Sequence, residues 1–140
     1  MRLSVDIFGA IPIMGAVMRT LHINAETQTI TETECNGLAD EQAAVGGNIE
    51  SAHYFENGTD RVMVNEDGLF TLPQTTGWFF VEGAFNPFKG NGIVVGVDER
   101  TGDTVNVKMS LADLKEQIMF MSATEVAHMA QARRASQTVK

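Results

Sequence analysis

Hydrophobic and polar residues alternate along much of the chain with the two-residue period that is typical of β-strands. Arg19–Asn24 and Gln28–Thr33 carry this pattern and predict a first hairpin. A second hairpin is predicted from Asn48–Phe55 and Arg61–Val64, because the turn between them contains Asn57-Gly58, two residues that tolerate positive φ. A further polar turn and a short apolar run follow the second hairpin.

The third quarter of the chain predicts further strands. Trp78–Glu82 is an aromatic run of strand length, and a glycine-rich loop follows it. Ile93–Val97 and Thr104–Met109 predict a hairpin across the turn Asp98–Asp103. The unbroken apolar stretch in its first arm indicates a buried, central strand, whereas the second arm alternates as a half-buried strand does.

Three segments have helical features. Leu38–Val45 has acidic residues in its first turn and Gly46-Gly47 at its end, where glycine adopts the left-handed conformation easily. A capping signature at Ser110 predicts a helix from Leu111. Its apolar stripe would comprise Leu111, Leu114, Ile118 and Met121. A second capping signature at Ser122 predicts either a separate helix, Ala123–Ala135, or a continuation of the first one.

The order of these elements predicts an α+β fold. It consists of a mostly antiparallel sheet of about five strands built from hairpins, a short helix after the first hairpin, and one or two C-terminal helices. We expect a single domain over residues 18–135 and a frayed tail over residues 136–140. Residues 1–17 form an apolar leader that is interpreted as a signal sequence, an extension before Met18, or an added edge strand.

The net negative charge of the chain limits the kinds of molecule that it can bind. The chain has 10 Lys and Arg against 18 Asp and Glu, a net charge of −8. Between Asn24 and Val107 there are 14 acidic and 3 basic residues, so this segment alone carries 3 − 14 = −11. Such a field opposes direct binding of nucleic acid, whose affinity depends on Lys and Arg contacts to phosphates. It suits a basic protein partner or serves solubility alone.

Reaction chemistry is not evident in the sequence. Cys35 is the only cysteine, which excludes an intramolecular disulfide and favours a reducing, cytoplasmic setting. The three histidines, His22, His53 and His128, lack the spacing of metal ligands. We therefore expect no enzyme activity, no metal, no cofactor and no membrane association.

Two groups of residues are candidate binding sites. The first is an acidic face for a protein partner, comprising Glu66, Asp67, Asp98, Glu99 and Asp103. The second is the Phe85–Gly92 loop, which could hold a nucleotide through backbone N–H groups, one cation and aromatic rings, or could anchor an interface. Its candidate residues are Trp78, Phe85, Phe88, Lys89, Gly90 and Gly92. The alternative interpretation is that these aromatics fill the core beneath a long loop.

Methionines Met119, Met121 and Met129 lie near the C-terminus. A methionine-rich apolar stripe is normally part of the core, but such adaptable surfaces also mediate association. A homodimer through the C-terminal helices is therefore a hypothesis.

Several short motifs carry a resemblance to a known family. They are Val45-Gly46-Gly47 followed by Ile49-Glu50, the turn with Asn65, Glu66 and Gly68, and the strand that begins Gly92-Ile93-Val94-Val95. From Arg19 to Met121 the chain resembles the domain-of-unknown-function family DUF3846, an uncharacterised group encoded by phages and plasmids. The resemblance implies a small accessory protein of a mobile element. Such proteins often bind and block host proteins in the cytoplasm, including nucleic-acid-binding defence complexes.

Overall fold

The structure is a computed structural model that describes residues 17–138. Within that range the chain forms nine strands and four helices. The strands are β1 (Met18–Asn24), β2 (Thr29–Cys35), β3 (Ile49–Tyr54), β4 (Asp60–Asn65), β5 (Trp78–Val81), β6 (Phe88–Lys89), β7 (Gly92–Val97), β8 (Thr104–Val105) and β9 (Ile118–Met121). The helices are α1 (Leu38–Val45), α2 (Gly68–Thr71), α3 (Leu111–Gln117) and α4 (Ala123–Thr138).

The strands form two antiparallel sheets. The large sheet has the order β2-β1-β7-β4-β3, with β8 pairing with the far end of β7. The small sheet has the order β6-β5-β9. Every residue of β7 is buried, as expected for the central strand of a sheet that is covered on both faces.

The two faces of the large sheet have separate apolar cores. On one face, Leu21, Val62 and Val94 pack with Phe79 of the small sheet and Leu114 of α3. On the opposite face, which carries α1, a second buried cluster contains Cys35, Val45, Ile93, Val95 and Val97. Strands with alternating residues therefore divide their side chains between the two cores.

The predicted α+β class is confirmed, and so are both early hairpins and the short helix between them. Helix α1 ends as predicted, with Gly46 in the left-handed conformation at φ 82° and its N–H bonded to Gln42 O at 2.8 Å. Val45 faces the sheet as its position in the helix requires, but Leu38 is 56% exposed.

The second arm of the β7 hairpin is shorter than the predicted strand Thr104–Met109. Strand β8 ends at Val105, because the backbone that follows forms hydrogen bonds with groups outside β7. Val107 N–H bonds to Arg19 O at 2.9 Å, and the Arg19 guanidinium donates to the carbonyls of Val107 and Met109. These contacts turn the chain away from β7 and lead it into α3.

The predicted stripe from Leu111 to Met121 is not a single helix. Helix α3 ends at Gln117, and Ile118–Met121 forms β9 instead, which pairs with all four residues of β5. Pairing with an aromatic strand thus overrides the helical spacing, since Ile and Phe are themselves favourable in strands. Helix α4 is the separate second helix and extends to Thr138, beyond the expected end at Ala135. Residues 1–16 of the leader and 139–140 of the tail lie outside the described residues.

The carboxylate of Asp60 joins three parts of the fold. The residue is 1% exposed and accepts four hydrogen bonds. The donors are Lys108 N and Met109 N, both at 2.8 Å, Asn57 Nδ2 at 2.7 Å and the Thr59 hydroxyl at 3.2 Å. Asp60 thereby fixes the β3–β4 turn against the segment that leads into α3.

We predict that Asp60→Ala lowers the free energy of unfolding by about 3 kcal/mol, because it leaves several buried donors without an acceptor. Asp67→Ala, a change to an exposed aspartate, is the matched control and should change stability by less than about 0.5 kcal/mol. Chemical denaturation of the two variants measures both values. Equal stability of the two variants would contradict the structural role of Asp60.

Candidate functional site

An open cleft of about 900 Å³ lies between the β3–β4 turn, the end of β5 and helix α3. Topology brings these elements together: the backbone N–H of Glu82 bonds to Gln117 O at 2.8 Å, and Asp60 holds the segment before α3. His53 and Phe55 form its aromatic wall, with ring centroids 5.1 Å apart and an edge-to-face angle of 86°. The cleft therefore combines one apolar wall with several polar ones.

Among residues 17–138, four carboxylates line this cleft, namely Glu56, Glu82, Asp113 and Glu116, against the single cation Lys108. All five side chains are exposed, and none of the carboxylates forms an ion pair with a residue of the described range 17–138. Like charges held around a concave surface reinforce one another's field. The cleft consequently attracts cations.

His53 is the titratable group of the aromatic wall. Burial lowers the pKa of its imidazole below the ordinary value of 6.5, so the ring is neutral at neutral pH. A β-bulge between Ser51 and His53 places His53 opposite Val62, on the cleft side of the sheet. The histidine thus contributes packing surface and hydrogen-bonding atoms without a positive charge.

The structure separates the predicted acidic face into two groups. Asp98, Glu99 and Asp103 follow the end of β7 that adjoins the start of β4, because Val97 N–H bonds to Thr59 O at 2.9 Å. This turn lies at the same end of the sheet as the cleft. The Asp98 carboxylate stabilises this turn by accepting a hydrogen bond from Arg100 N–H at 2.9 Å.

The other two predicted residues, Glu66 and Asp67, follow the opposite end of β4. The length of that strand puts them roughly 20 Å from the Asp98 turn. A single acidic face containing both groups is therefore not formed. We call the cleft together with the Asp98–Asp103 turn the acidic end.

The aromatic residues of the Phe85–Gly92 loop divide between core and surface. Phe88 packs on buried Phe79 with a centroid distance of 5.5 Å, so it contributes to the core. Phe85 is 74% exposed and lies under the Arg133 guanidinium of α4 at 4.4 Å. Arg133 also donates to Phe85 O and to Asn86 Oδ1. Trp78 lines a small groove beside α4. Phe85 thus mainly joins the loop to the C-terminal helix.

The polar residues of this loop have internal partners. Lys89 Nζ donates to Leu72 O at 3.0 Å. A Cβ at Gly92 would lie 2.6 Å from the Phe79 ring, and one at Gly90 would lie 2.6 Å from Leu72 Cδ1. Close packing on the Phe79 ring explains Gly92, and a positive φ of 90° explains Gly90, so neither glycine requires a bound phosphate. The nucleotide-binding role of the loop stays a prediction.

Two other sequence candidates are placed by the structure. Cys35 is buried in β2, and burial raises the pKa of its thiol, which disfavours the reactive thiolate. Among the methionines, Met121 is buried, Met129 is half-buried beside Trp78 and Met119 is exposed. The homodimer stays a prediction.

Sequence reasoning missed the four cleft carboxylates. Glu56, Glu82 and the α3 pair are far apart in the chain, so only the folded topology brings them together. One signal was present: Asp113 and Glu116 are three residues apart and share a face of α3. Within the described range, no group of three or more His, Cys, Asp or Glu side chains is arranged to hold a metal ion.

We predict that the wild-type protein loses stability relative to His53→Gln as pH falls below 6.5. A depressed pKa means that the unfolded chain binds the proton more readily, so the loss grows as pH falls to the folded-state pKa and then stops. Urea denaturation of both proteins between neutral and mildly acidic pH measures the difference. A difference that does not vary with pH would show that burial does not depress the His53 pKa.

Comparison with known proteins identifies the family to which the chain belongs. No curated protein and no solved structure matches the chain. No helix in the described part of the chain is both long and apolar enough to cross a membrane. The sequence profile of a domain of unknown function, DUF3846, matches residues 18–119, which is more than half of the chain. The match begins with β1 and ends within β9, so it includes both sheets, and the chain belongs to the DUF3846 family.

Proposed function

We propose that this is a small accessory protein of a phage or other mobile element that acts without catalysis by binding a host protein. The acidic end is the binding surface. The observation that carries the proposal is the concentration of carboxylates at one end of the sheet. Those on the cleft walls form no ion pair within residues 17–138; on the neighbouring turn Asp98 pairs with Arg100 at 3.8 Å, while Glu99 and Asp103 form no ion pair with a described residue. The resemblance to phage- and plasmid-encoded proteins supports the proposal that the protein belongs to a mobile element.

The chemistry of the acidic end favours a basic surface on the partner. Lys and Arg side chains can reach the exposed carboxylates, while the His53–Phe55 wall offers apolar contact. Surfaces rich in Lys and Arg are those that bind nucleic-acid backbones, and an acidic protein competes for them. A nucleic-acid-binding component of a host defence complex, in the cytoplasm, fits this description.

A non-enzymatic role is consistent with the cleft itself. Its carboxylates are exposed on the walls of an open depression, whereas general acid–base catalysis generally uses groups that a closed site has desolvated. Binding requires only that the charges face the partner, which this arrangement supplies.

The first experiment identifies the partner. Tagged protein is recovered gently from its own host and analysed by native mass spectrometry. We expect a host protein at fixed stoichiometry and release of nucleic acid from that protein when the complex forms. A chain recovered without any protein partner would contradict the proposal.

The second experiment tests the acidic end. We predict that Asp113→Lys with Glu116→Lys slows association with the recovered partner roughly tenfold at low salt, because surface charges mainly steer encounter. Glu66→Lys with Asp67→Lys is the matched control, since it makes the same charge change at the other end of the sheet and should leave the rate within about twofold. Surface plasmon resonance at two salt concentrations measures both. Equal effects of the two pairs would show that net charge, and not the acidic end, drives binding.

A further inference from the structure

A second, smaller depression lies on the opposite face of the large sheet, beside α1. This α1 groove has a volume of about 290 Å³, and five of its ten lining residues have apolar side chains. They are Met18, Leu38, Ile49, Met63 and Val97. Gly102 and Thr104 of the β7–β8 hairpin border it as well, so the groove lies at the same end of the sheet as the Asp98–Asp103 turn.

Glu41 is the unusual residue of the α1 groove. It lies in the first turn of α1 and is 4% exposed, yet it lines the groove beside the apolar side chains. Its carboxylate accepts no hydrogen bond and forms no ion pair with any residue between positions 17 and 138. Burial raises the pKa of this carboxyl group. Buried carboxylates are ordinarily paired, so this one is available to a cation that enters the groove.

The nearest candidate within the chain does not fill this role. Arg61 also lines the groove, but its guanidinium lies over the Tyr54 ring, 4.4 Å from the centroid, and it forms no ion pair with Glu41. Tyr54 itself is exposed, so the stacked pair lies at the surface. A cation that reaches Glu41 must therefore enter through the groove.

We propose that the α1 groove binds a lysine side chain of the protein partner, with its ammonium on Glu41 and its alkyl stem on the apolar walls. Lysine suits the groove because its stem is apolar and only its tip is charged. The half-exposed walls at Leu38 and Met18 receive the stem, and the carboxylate accepts charge-assisted hydrogen bonds from the tip. This inference rests on the proposed function, since it specifies one contact of the same basic partner.

The test uses n-butylammonium chloride as the probe, because it reproduces the lysine stem and charge. The ¹⁵N-labelled full chain is titrated by NMR at constant ionic strength, and n-butanol serves as the neutral control of equal length. We expect saturable shifts at the amides of Leu38, Glu41 and Gly102 with the ammonium, and at least tenfold weaker binding of the alcohol. Equal binding of the two probes would overturn the inference.

Two variants make the assignment specific. Glu41→Gln keeps the size of the side chain and should weaken ammonium binding at least tenfold while leaving butanol binding unchanged. Asp113→Asn with Glu116→Asn removes cleft charge and should retain ammonium binding at the groove. Ammonium binding that survives Glu41→Gln, or shifts that map only to the cleft, would refute the proposed site.

Thermal stability gives an independent measurement. Without ligand, Glu41→Gln should melt at a higher temperature than wild type at pH 7, because it removes an unpaired buried charge. Since the Glu41 pKa is raised in the folded state, the difference should disappear as pH falls through that pKa towards the ordinary carboxyl value of 4.5. Butylammonium should raise the midpoint of the wild type and not that of the variant. A variant that is less stable than wild type at pH 7 would contradict the unpaired state of Glu41.

The two proposals fail in different ways. If the ammonium does not bind at Glu41 while the recovered partner still depends on Asp113 and Glu116, only the lysine inference is overturned. If the ammonium binds at Glu41 but no partner engages the acidic end, the groove is supported as an alkylammonium site and the proposed function fails.

Discussion

The buried carboxylate of Asp60 is the constraint on which the acidic end depends. Strand β4, the β3–β4 turn and the segment before α3 contribute to one apolar cluster, and the hydrogen bonds to Asp60 fix their positions relative to one another. A charged acceptor supports several such bonds at once, and each is stronger than a bond between neutral groups. The position of α3, and therefore of two cleft carboxylates, depends on this side chain together with the packing of Leu114 in the core.

Local sequence patterns were sufficient to predict those elements whose strand pairing is also local. The hairpins β1–β2 and β3–β4 and the helix between them follow from alternation, turn residues and a glycine C-cap, all of which act within a few residues. The sequence failed where a distant partner decides the outcome. Ile118–Met121 has helical spacing with Leu114, but its pairing with β5 determines its conformation. The backbone after Val105 is likewise determined by Arg19 and Asp60, which are remote in the chain.

The candidate sites illustrate the same division. Acidic composition alone predicted a charged binding surface, yet it grouped Glu66 and Asp67 with Asp98, which an antiparallel sheet places at opposite ends. Charge counts carry no information about strand direction. The Lys89 loop had the composition of a phosphate cradle, but close packing against Phe79 and Leu72 uses the same glycines. The acidic first turn of α1 predicts favourable surface charges, and only its burial distinguishes Glu41 from an ordinary residue of that kind.

The strand edges of the two sheets are protected to different degrees. The large sheet ends in β3, which a bulge distorts, and in β2, which carries Glu32 and Glu34; both features discourage pairing with another chain. The small sheet ends in β9, whose four residues carry no charge and include exposed Met119. In the described part of the chain β9 has a strand neighbour on one side only. At high concentration, self-association is therefore directed towards this short edge. Because β9 begins directly after Gln117 of the cleft, pairing of two copies there would restrict access to one side of the charged surface.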